Sequence, residues 1–469
     1  MEFILVILVV AALVWALVFA KCGSICAGCT LFVSLGYVLT RDFWQAHLGP
    51  IPLTADRVLM AGLVALFGWR WWRGTLKFRA ANGADLLAGL LLGYLTLRWS
   101  FTPAAEGLAS SVSPSWRLIA SFWMSAVLYI MIRNAELDSQ HWKWLLLGLV
   151  SLGTYLAFTG VAEVTHQWWA VFPRFIANPE LGTHFGRARG PALMSASLGV
   201  YLTICFWAAW FLWQSAGRWS RLALIGVMAL MVLGLYFTYT RSCWLGLLGG
   251  MAIVPVLHFP REWRSIVVTG LLLGGGLGGL FLGGKVVDLG RKDSDASAGH
   301  SVSQRASFAI VSMRMFRDAP LVGCGFGRFY DMKMPYLSER SQQIELESLR
   351  KLDHHNTFLS ILTETGLIGF ALFVGLFFAW GRCSWRLYRS FTLPMWIRCH
   401  GLFSLATLIA YAVNALFHDL TLSPCEQWIL CLVMGVSSGL VSLNPAVAAR
   451  QGAAINTKPQ TQPSLGLAT

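Results

Sequence analysis

Four arginines and two histidines have the chemistry and the positions that a site for an anionic substrate requires. They are Arg187, Arg189, Arg241, Arg305, His354 and His355. A planar guanidinium donates paired hydrogen bonds to phosphate oxygens, and a neutral imidazole accepts a proton from a hydroxyl group near neutral pH. The set therefore predicts a site in which arginines hold phosphate groups and a histidine activates a hydroxyl.

Five of these six residues also have a simpler interpretation. Arg241 stands between two apolar runs, where an arginine can reach lipid headgroups without binding a substrate. Arg187 and Arg189 open an apolar run in the same way. His354 and His355 are equally compatible with a surface pair, and no neighbouring residue gives them the partner spacing of a zinc site. We expect no metal and no cofactor.

Two other patterns resemble known binding motifs in spacing alone. Cys22, Cys26 and Cys29 have the spacing of the iron–sulfur site in radical enzymes, but the large soluble barrel and the cofactor-binding region of those enzymes are missing. We interpret these cysteines as packing residues. The segment Gly323–Gly327 has no Gly-Lys-Ser/Thr after it and no strand before it, so we predict a tight turn rather than a nucleotide loop.

The elements that must position the site are membrane helices. Of the 469 residues, 56% are hydrophobic and only 12% are charged, and the apolar runs repeatedly reach the roughly 20 residues that cross a bilayer. These runs are too long for the strands of a membrane barrel, so helices must satisfy the backbone. The net charge of +14 is typical of basic residues at the cytoplasmic ends of spans and does not indicate nucleic-acid binding. The predicted fold is all-α and polytopic.

Apolar length and charged ends predict about 12–13 transmembrane helices. The candidate spans are about 3–20, 24–40, 56–72, 84–99, 117–133, 142–160, 191–213, 220–239, 242–257, 265–283, 357–380, 397–417 and 425–443. The first has neither a basic n-region nor a cleavage site, so we interpret it as a retained helix rather than a signal peptide.

The distribution of basic residues predicts the orientation of these helices in the cytoplasmic membrane. Basic loops, such as those near 70–79, 218–221 and 382–389, alternate with the loops that contain 161–190, 240–241 and 284–356. Because positive charge favours the inner side, the first set should be cytoplasmic and the second extracytoplasmic. All six candidate site residues lie in the second set, so we expect the site on the outer face.

This interpretation divides the chain into five segments. They are 1–180, N-terminal transmembrane helices; 185–283, core helices with external arginines; 284–356, an extracytoplasmic catalytic loop; 357–443, C-terminal transmembrane helices; and 444–469, a disordered cytoplasmic tail. Within the long loop, 288–303 has the composition of a flexible segment. Residues 304–318 have apolar side chains at helical spacing and predict an amphipathic helix that ends at Pro320.

Taken together, the polar segments resemble the superfamily of O-antigen ligases and O-antigen polymerases, which includes bacterial protein O-oligosaccharyltransferases. The similar motifs are Arg187-Ala-Arg-Gly-Pro191, Thr240-Arg241-Ser242, Arg305 through Pro320-Leu-Val-Gly-Cys-Gly-Phe-Gly-Arg-Phe329, and His355-Asn-Thr-Phe-Leu359 with Glu364-Thr-Gly-Leu-Ile-Gly369. They cover roughly 185–380. The family commonly has Ser-Arg-Gly where this chain has Thr-Arg-Ser, which keeps the basic residue and changes the local backbone.

The resemblance implies a GT-C-like glycosyltransferase that moves a glycan from an undecaprenyl-diphosphate-type carrier to an acceptor. Such reactions belong to lipopolysaccharide and other cell-surface polysaccharide biosynthesis. Arg241, Arg305 and either Arg187 or Arg189 would hold the diphosphate, and His355 would take the acceptor's proton, with His354 as the other candidate. The reaction would be inverting and independent of metal. Lipid A-core, a growing polymer and a protein all remain open as acceptors.

A transporter of lipid-linked sugars is the alternative from another class. It would place charged residues inside the spans and broken helices in both halves, whereas the charges of this chain cluster at span ends. A membrane scaffold without chemistry would leave the histidines beside the arginines unexplained. These comparisons favour the enzyme.

Overall fold

Almost all regular elements of the computed structural model are helices. The structure describes residues 24–48, 51–101, 112–258, 269, 298–338 and 346–443. The long helices are α1 (Ile25–Val38), α2 (Ala55–Trp72), α3 (Gly83–Ser100), α4 (Pro114–Asn134), α5 (Ser139–Val164), α6 (Ser195–Gln214), α7 (Arg218–Phe237), α8 (Arg241–His258), α9 (Ala298–Asp318), α10 (Thr357–Arg389), α11 (Met395–Ala415) and α12 (Pro424–Val441). A short antiparallel hairpin, β1 (Gln45–Leu48) and β2 (Ile51–Thr54), connects α1 to α2.

Seven of the described helices are long and apolar enough to cross a membrane, which confirms the prediction of an all-α, polytopic membrane protein. They are α4, α5, α6, α7, α10, α11 and α12. Each span predicted between residues 24 and 257, or between 357 and 443, coincides with a helix. The predicted spans 3–20 and 265–283, apart from position 269, lie outside the described residues. So does the predicted tail 444–469.

Helices α6 and α12 form the centre of the bundle. In each, 89% of the most apolar stretch is buried inside the protein, compared with 22% in α7. α12 packs along α4, α10 and α11, and α6 packs along α5, α7 and α11. Polar groups on these two central helices are therefore shielded from both lipid and water.

The polar segments of the predicted site meet at one end of this bundle. α8, α10 and α12 begin there, and α7 and α11 end there, because consecutive helices run in opposite directions. The N–H of Thr357, at the start of α10, donates to the carbonyl of His418 after α11 at 3.2 Å. Segments that are distant in sequence therefore share one surface.

The segment 320–328 packs against a break in α10. At Gly366 the backbone has φ 66° and ψ −166°, a conformation that glycine adopts readily because it has no Cβ. The N–H groups of Leu367 and Ile368 donate to the carbonyls of Pro320 and Leu321 at 2.8 and 3.2 Å. The loop therefore satisfies backbone groups that the break removes from the helical pattern.

We expect Gly366→Ala to lower the thermal unfolding midpoint strongly. A Cβ at this position would lie 2.4 Å from the backbone of Leu321, in a left-handed conformation that alanine rarely adopts. Gly375→Ala, later in the same helix, is the matched control, because its Cβ would only touch Leu87 at 3.8 Å and alanine is the better helix former. Equal unfolding midpoints for the two purified variants would contradict this account of the break.

The long loop has a small hydrophobic core of its own. The predicted amphipathic helix is present as α9, and it begins at Ala298, within the stretch that composition marked as flexible. The residues of this core are Phe308, Val311, Met315, Phe329, Leu337, Leu346 and Leu349. Because it is packed in this way, the loop can hold residues 353–356 in a fixed position beside the bundle. The boundary predicted at 283/284 lies outside the described residues.

Candidate active site

Three of the predicted site residues meet at the polar end of the bundle. Arg241 is the first residue of α8, Arg305 lies on α9, and His355 comes just before α10. The charge of Arg241 acts on Arg305, and both Arg305 and His355 act on the ring of His418 in the segment after α11. Residues from four separate parts of the chain thus converge on one surface.

The converging side chains carry positive charge without a matching anion. Burial and the neighbouring Arg241 lower the pKa of Arg305, whose guanidinium lies 5.2 Å from the centre of the Phe417 ring. Burial, together with His355 and Arg305, lowers the pKa of His418 to about 4. Neither Arg241 nor Arg305 forms an ion pair with an acidic side chain in the described part of the chain. A bound anion would relieve this repulsion.

Arg189 is fully buried and is already bound by other parts of the protein. Its Nε lies 3.0 Å from Glu163 at the end of α5, and its terminal nitrogens donate to the carbonyls of Leu181 and Ile176 at 2.7 and 2.8 Å. Glu163 also accepts the backbone N–H of Arg189 at 2.8 Å. This arginine therefore fastens the loop between α5 and α6.

Arg187 lies in the same loop and is only partly buried. Its N–H donates to the carbonyl of His184, and the loop turns through Gly190, where φ is 60°. His184 in turn lies close enough to His418 for its charge to act on that ring. The loop thus brings Arg187 to the edge of the converging cluster.

The two predicted histidines occupy different environments. His354 is only 3% exposed, and its Nδ1 accepts the N–H of Asn356 at 3.3 Å. In the neutral ring Nε2 therefore carries the hydrogen and donates to the hydroxyl of Ser312 at 2.7 Å. His355 is exposed, and its ring stacks on Phe308 with the ring centres 5.0 Å apart. This arrangement leaves His355 accessible to a substrate, while His354 ties the segment to α9.

The residues that follow the histidines join this segment to the end of α11. Asn356 caps α10 with its side-chain oxygen, and its Nδ2 donates to the carbonyl of Leu416 at 2.8 Å. The hydroxyl of Thr357 donates to the carbonyl of His418 at 2.9 Å. These bonds fix the position of His355 relative to His418.

A buried ionic cluster beneath this surface was not predicted from the sequence. Arg117, which is 3% exposed, lies 2.7 Å from Glu364 and 3.3 Å from Asp419. Its remaining donors reach the hydroxyls of Thr421 and Ser360. Because a charge buried without a partner is costly, the cluster holds α4, α10 and the α11–α12 segment in one arrangement.

The sequence contains only a weak indication of this ionic cluster. Glu364 interrupts an apolar run, just before the glycine at which α10 breaks, and Asp419 follows His418 in the short segment between two spans. The unusual positions of Glu364 and Asp419 can be read from the sequence, but their pairing with Arg117 cannot. The cluster and His354 line one small polar pocket, so it supports the surface that carries His355.

The buried His354 predicts that the protein loses stability in acid. Burial lowers its pKa to about 3, below the value of about 6.5 expected in the unfolded chain. Stability should be complete above pH ~6.5 and should fall by up to about 1.4 kcal/mol per pH unit below it, because only the unfolded chain takes up the proton. Thermal unfolding between about pH 7.5 and 4.5 measures this effect. His354→Gln should remove this part of the slope and leave the part that His418, whose pKa is also lowered by burial, contributes. An unchanged profile would contradict the assignment.

Metal-ligating residues are not grouped in the described ranges. No set of three or more His, Cys, Asp or Glu side chains that could hold a metal ion occurs there. Cys26 and Cys29 are buried free thiols in α1, and Cys22 lies outside the described residues. The predicted turn at Gly323–Gly327 is present, with positive φ at Gly323, Gly325 and Gly327.

The fold and the site define a polytopic helical membrane protein with a cation-rich site at one end of its bundle. Residues 226–374, which include Arg241, Arg305 and His355, match the family model described as O-Antigen ligase. The match confirms the resemblance to the O-antigen ligase superfamily. It supports an enzyme of the ligase or polymerase type in polysaccharide biosynthesis, with a lipid-linked glycan donor and a glycan acceptor. No curated protein matches the chain.

Proposed function

We propose that this protein transfers a glycan from an undecaprenyl-diphosphate-type carrier to an acceptor, on the outer face of the cytoplasmic membrane. The observation that carries the proposal is the convergence of Arg241, Arg305 and His355, where guanidinium groups that form no ion pair with a described acidic residue lie beside an exposed imidazole. A lipid diphosphate supplies the matching anion. Its tail remains in the bilayer while its sugar reaches the histidine.

The arginines act on the leaving group. Negative charge grows on the diphosphate as the glycosidic bond breaks, so guanidinium groups that are already in place stabilise the transition state more than the ground state. Arg241 and Arg305 contact the diphosphate in this proposal, and Arg187 approaches it from the α5–α6 loop. Arg189 positions that loop, because Glu163 and backbone carbonyls already occupy its donors.

His355 acts on the incoming hydroxyl. As the acceptor oxygen forms its bond to the anomeric carbon, the hydroxyl proton passes to the imidazole and the diphosphate leaves with the bonding electron pair. Attack on the face opposite the leaving group inverts the configuration at that carbon. The guanidinium groups supply the charge stabilisation, so the step needs no metal ion. His418, with its lowered pKa, adds a neutral imidazole beside this centre.

The described site favours no single acceptor. A ligase, a polymerase and a protein O-oligosaccharyltransferase share the donor chemistry and differ in the hydroxyl that attacks. A transporter of lipid-linked sugars would use the same arginines but would have no use for an accessible base. The exposed position of His355 therefore favours the transferase.

The test is a transfer assay with purified protein, a lipid-diphosphate-linked glycan and excess chelator. Formation of a glycosylated acceptor together with free lipid diphosphate supports the proposal. Movement of the intact donor across a vesicle membrane, without bond cleavage, would identify a transporter instead. In a deletion strain, lipid A-core without polymer, shortened polymer or unglycosylated protein would identify the acceptor.

A further inference from the structure

A buried carboxyl group in the centre of the bundle has no role in the proposed transfer reaction. Glu426, in the first turn of α12, is 0% exposed, and neither of its carboxylate oxygens has a hydrogen-bond partner among the described residues. No basic side chain of the described residues forms an ion pair with it. Ionisable groups inside a membrane protein are costly unless they are compensated, so such a residue indicates a bound partner.

Capping of α12 does not explain why Glu426 is buried at the start of this helix. Ser423-Pro-Cys-Glu426 has the spacing of a capping box, in which the glutamate would accept the N–H of the N-cap residue. Ser423 is the N-cap residue, but its side chain makes no capping hydrogen bond, and the Glu426 oxygens remain without partners. The carboxylate of Glu426 therefore does not cap α12.

Hydroxyl oxygens from two further helices lie around the carboxylate. The hydroxyls of Ser197, at the start of α6, and of Ser423 lie close enough to Glu426 to act on its charge, and Tyr37 of α1 lies similarly close to Ser197. Among the described residues, none of these contacts has the distance and angle of a full hydrogen bond. In the part of the chain that the structure describes, the buried hydroxyls of Tyr37 and Ser197 have no hydrogen-bond partner. Several orphaned oxygen atoms around one carboxylate are rare in folded proteins, where nearly all buried polar groups are paired.

We propose that Glu426 is the anionic ligand of a buried site for a monovalent metal cation, with sodium as the ion of choice. A proton on Glu426 would neutralise its charge but would not give the surrounding hydroxyl oxygens a common partner. A hard cation would be ligated by the carboxylate and the hydroxyl oxygens of Ser197, Ser423 and Tyr37 together. A single positive charge also neutralises the single carboxylate, whereas a divalent ion would leave a net charge in the apolar interior. Ser423 is partly exposed and marks the side from which the ion enters.

The first test is the thermal stability of the purified full-length protein in sodium chloride and in choline chloride at equal ionic strength. Binding to the native state alone raises the unfolding midpoint, and we expect a rise of at least about 2 °C in sodium. Glu426→Gln should abolish the rise. Glu347→Gln, which changes an exposed glutamate of the long loop, should keep it. The same rise in Glu426→Gln as in the wild type would overturn the proposal.

The second test needs no Glu426 variant. Equilibrium binding of radioactive sodium to the wild-type protein should reach one ion per chain, and Tyr37→Phe and Ser197→Ala should each weaken it about tenfold, because each removes one oxygen ligand. Absence of sodium binding to the wild type would show that Glu426 is held as a protonated acid or by water, and the proposal would be wrong. Both readouts are independent of glycan transfer, so their failure would leave the proposed enzymatic function untouched.

Discussion

Replacing His355 with alanine is expected to reduce the rate of glycan transfer by about 10²–10⁴-fold while leaving donor binding nearly unchanged. The separation of the two effects follows from the geometry. His355 is the exposed imidazole of the cluster, whereas the diphosphate is assigned to Arg241 and Arg305 on other elements. Single-turnover rates and donor binding, measured on the same purified variant in excess chelator, give the comparison.

His354→Ala is the matched control for this experiment. His354 is buried and bonded to Ser312 and Asn356, so its loss should lower stability and should reduce transfer less than the loss of His355. A larger loss of rate in a folded His354→Ala protein would reverse the two roles. Activity that disappears with chelator and returns with a divalent ion would overturn the metal-free mechanism and would make the histidines candidate ligands.

Arg241→Lys is expected to reduce transfer by about 10²–10³-fold although the positive charge is kept. An ammonium group cannot reproduce the paired hydrogen bonds that a guanidinium donates to phosphate oxygens. Arg305→Ala should fail in the same way, because its guanidinium shares the surface with Arg241. Steady-state transfer assays on variants with wild-type expression and folding measure both effects.

The control for the arginine series is Arg218→Lys. Arg218 begins α7 at the opposite end of the bundle, so the conservative change should leave transfer unchanged. Full activity in Arg241→Lys would indicate that Arg241 contacts lipid headgroups rather than the diphosphate. The site would then consist of Arg187, Arg305 and His355 without it.

The sequence by itself determined the class of protein and the positions of its helices. Hydropathy is a local property, since a run of about 20 apolar residues has few ways to cross a bilayer, and the predicted spans from 24 to 257 and from 357 to 443 are all helical. The motif around Pro320 and Gly366 could also be recognised in the sequence, because backbone conformations with positive φ favour glycine. The sequence therefore placed Arg241, Arg305 and His355 in polar segments between apolar runs.

Only the tertiary structure decided which charged side chains are accessible and which are bound within the protein. Arg187 and Arg189 are equivalent in sequence, but Arg189 is fully buried against the carboxylate at the end of α5, whereas Arg187 is only partly buried. His354 and His355 are adjacent, yet the packing of α9 buries one and exposes the other. Arg117 pairs with Glu364, 247 residues away. Such pairs depend on how helices assemble, because an ion pair is set by distance in space and carries no periodic signal along the chain.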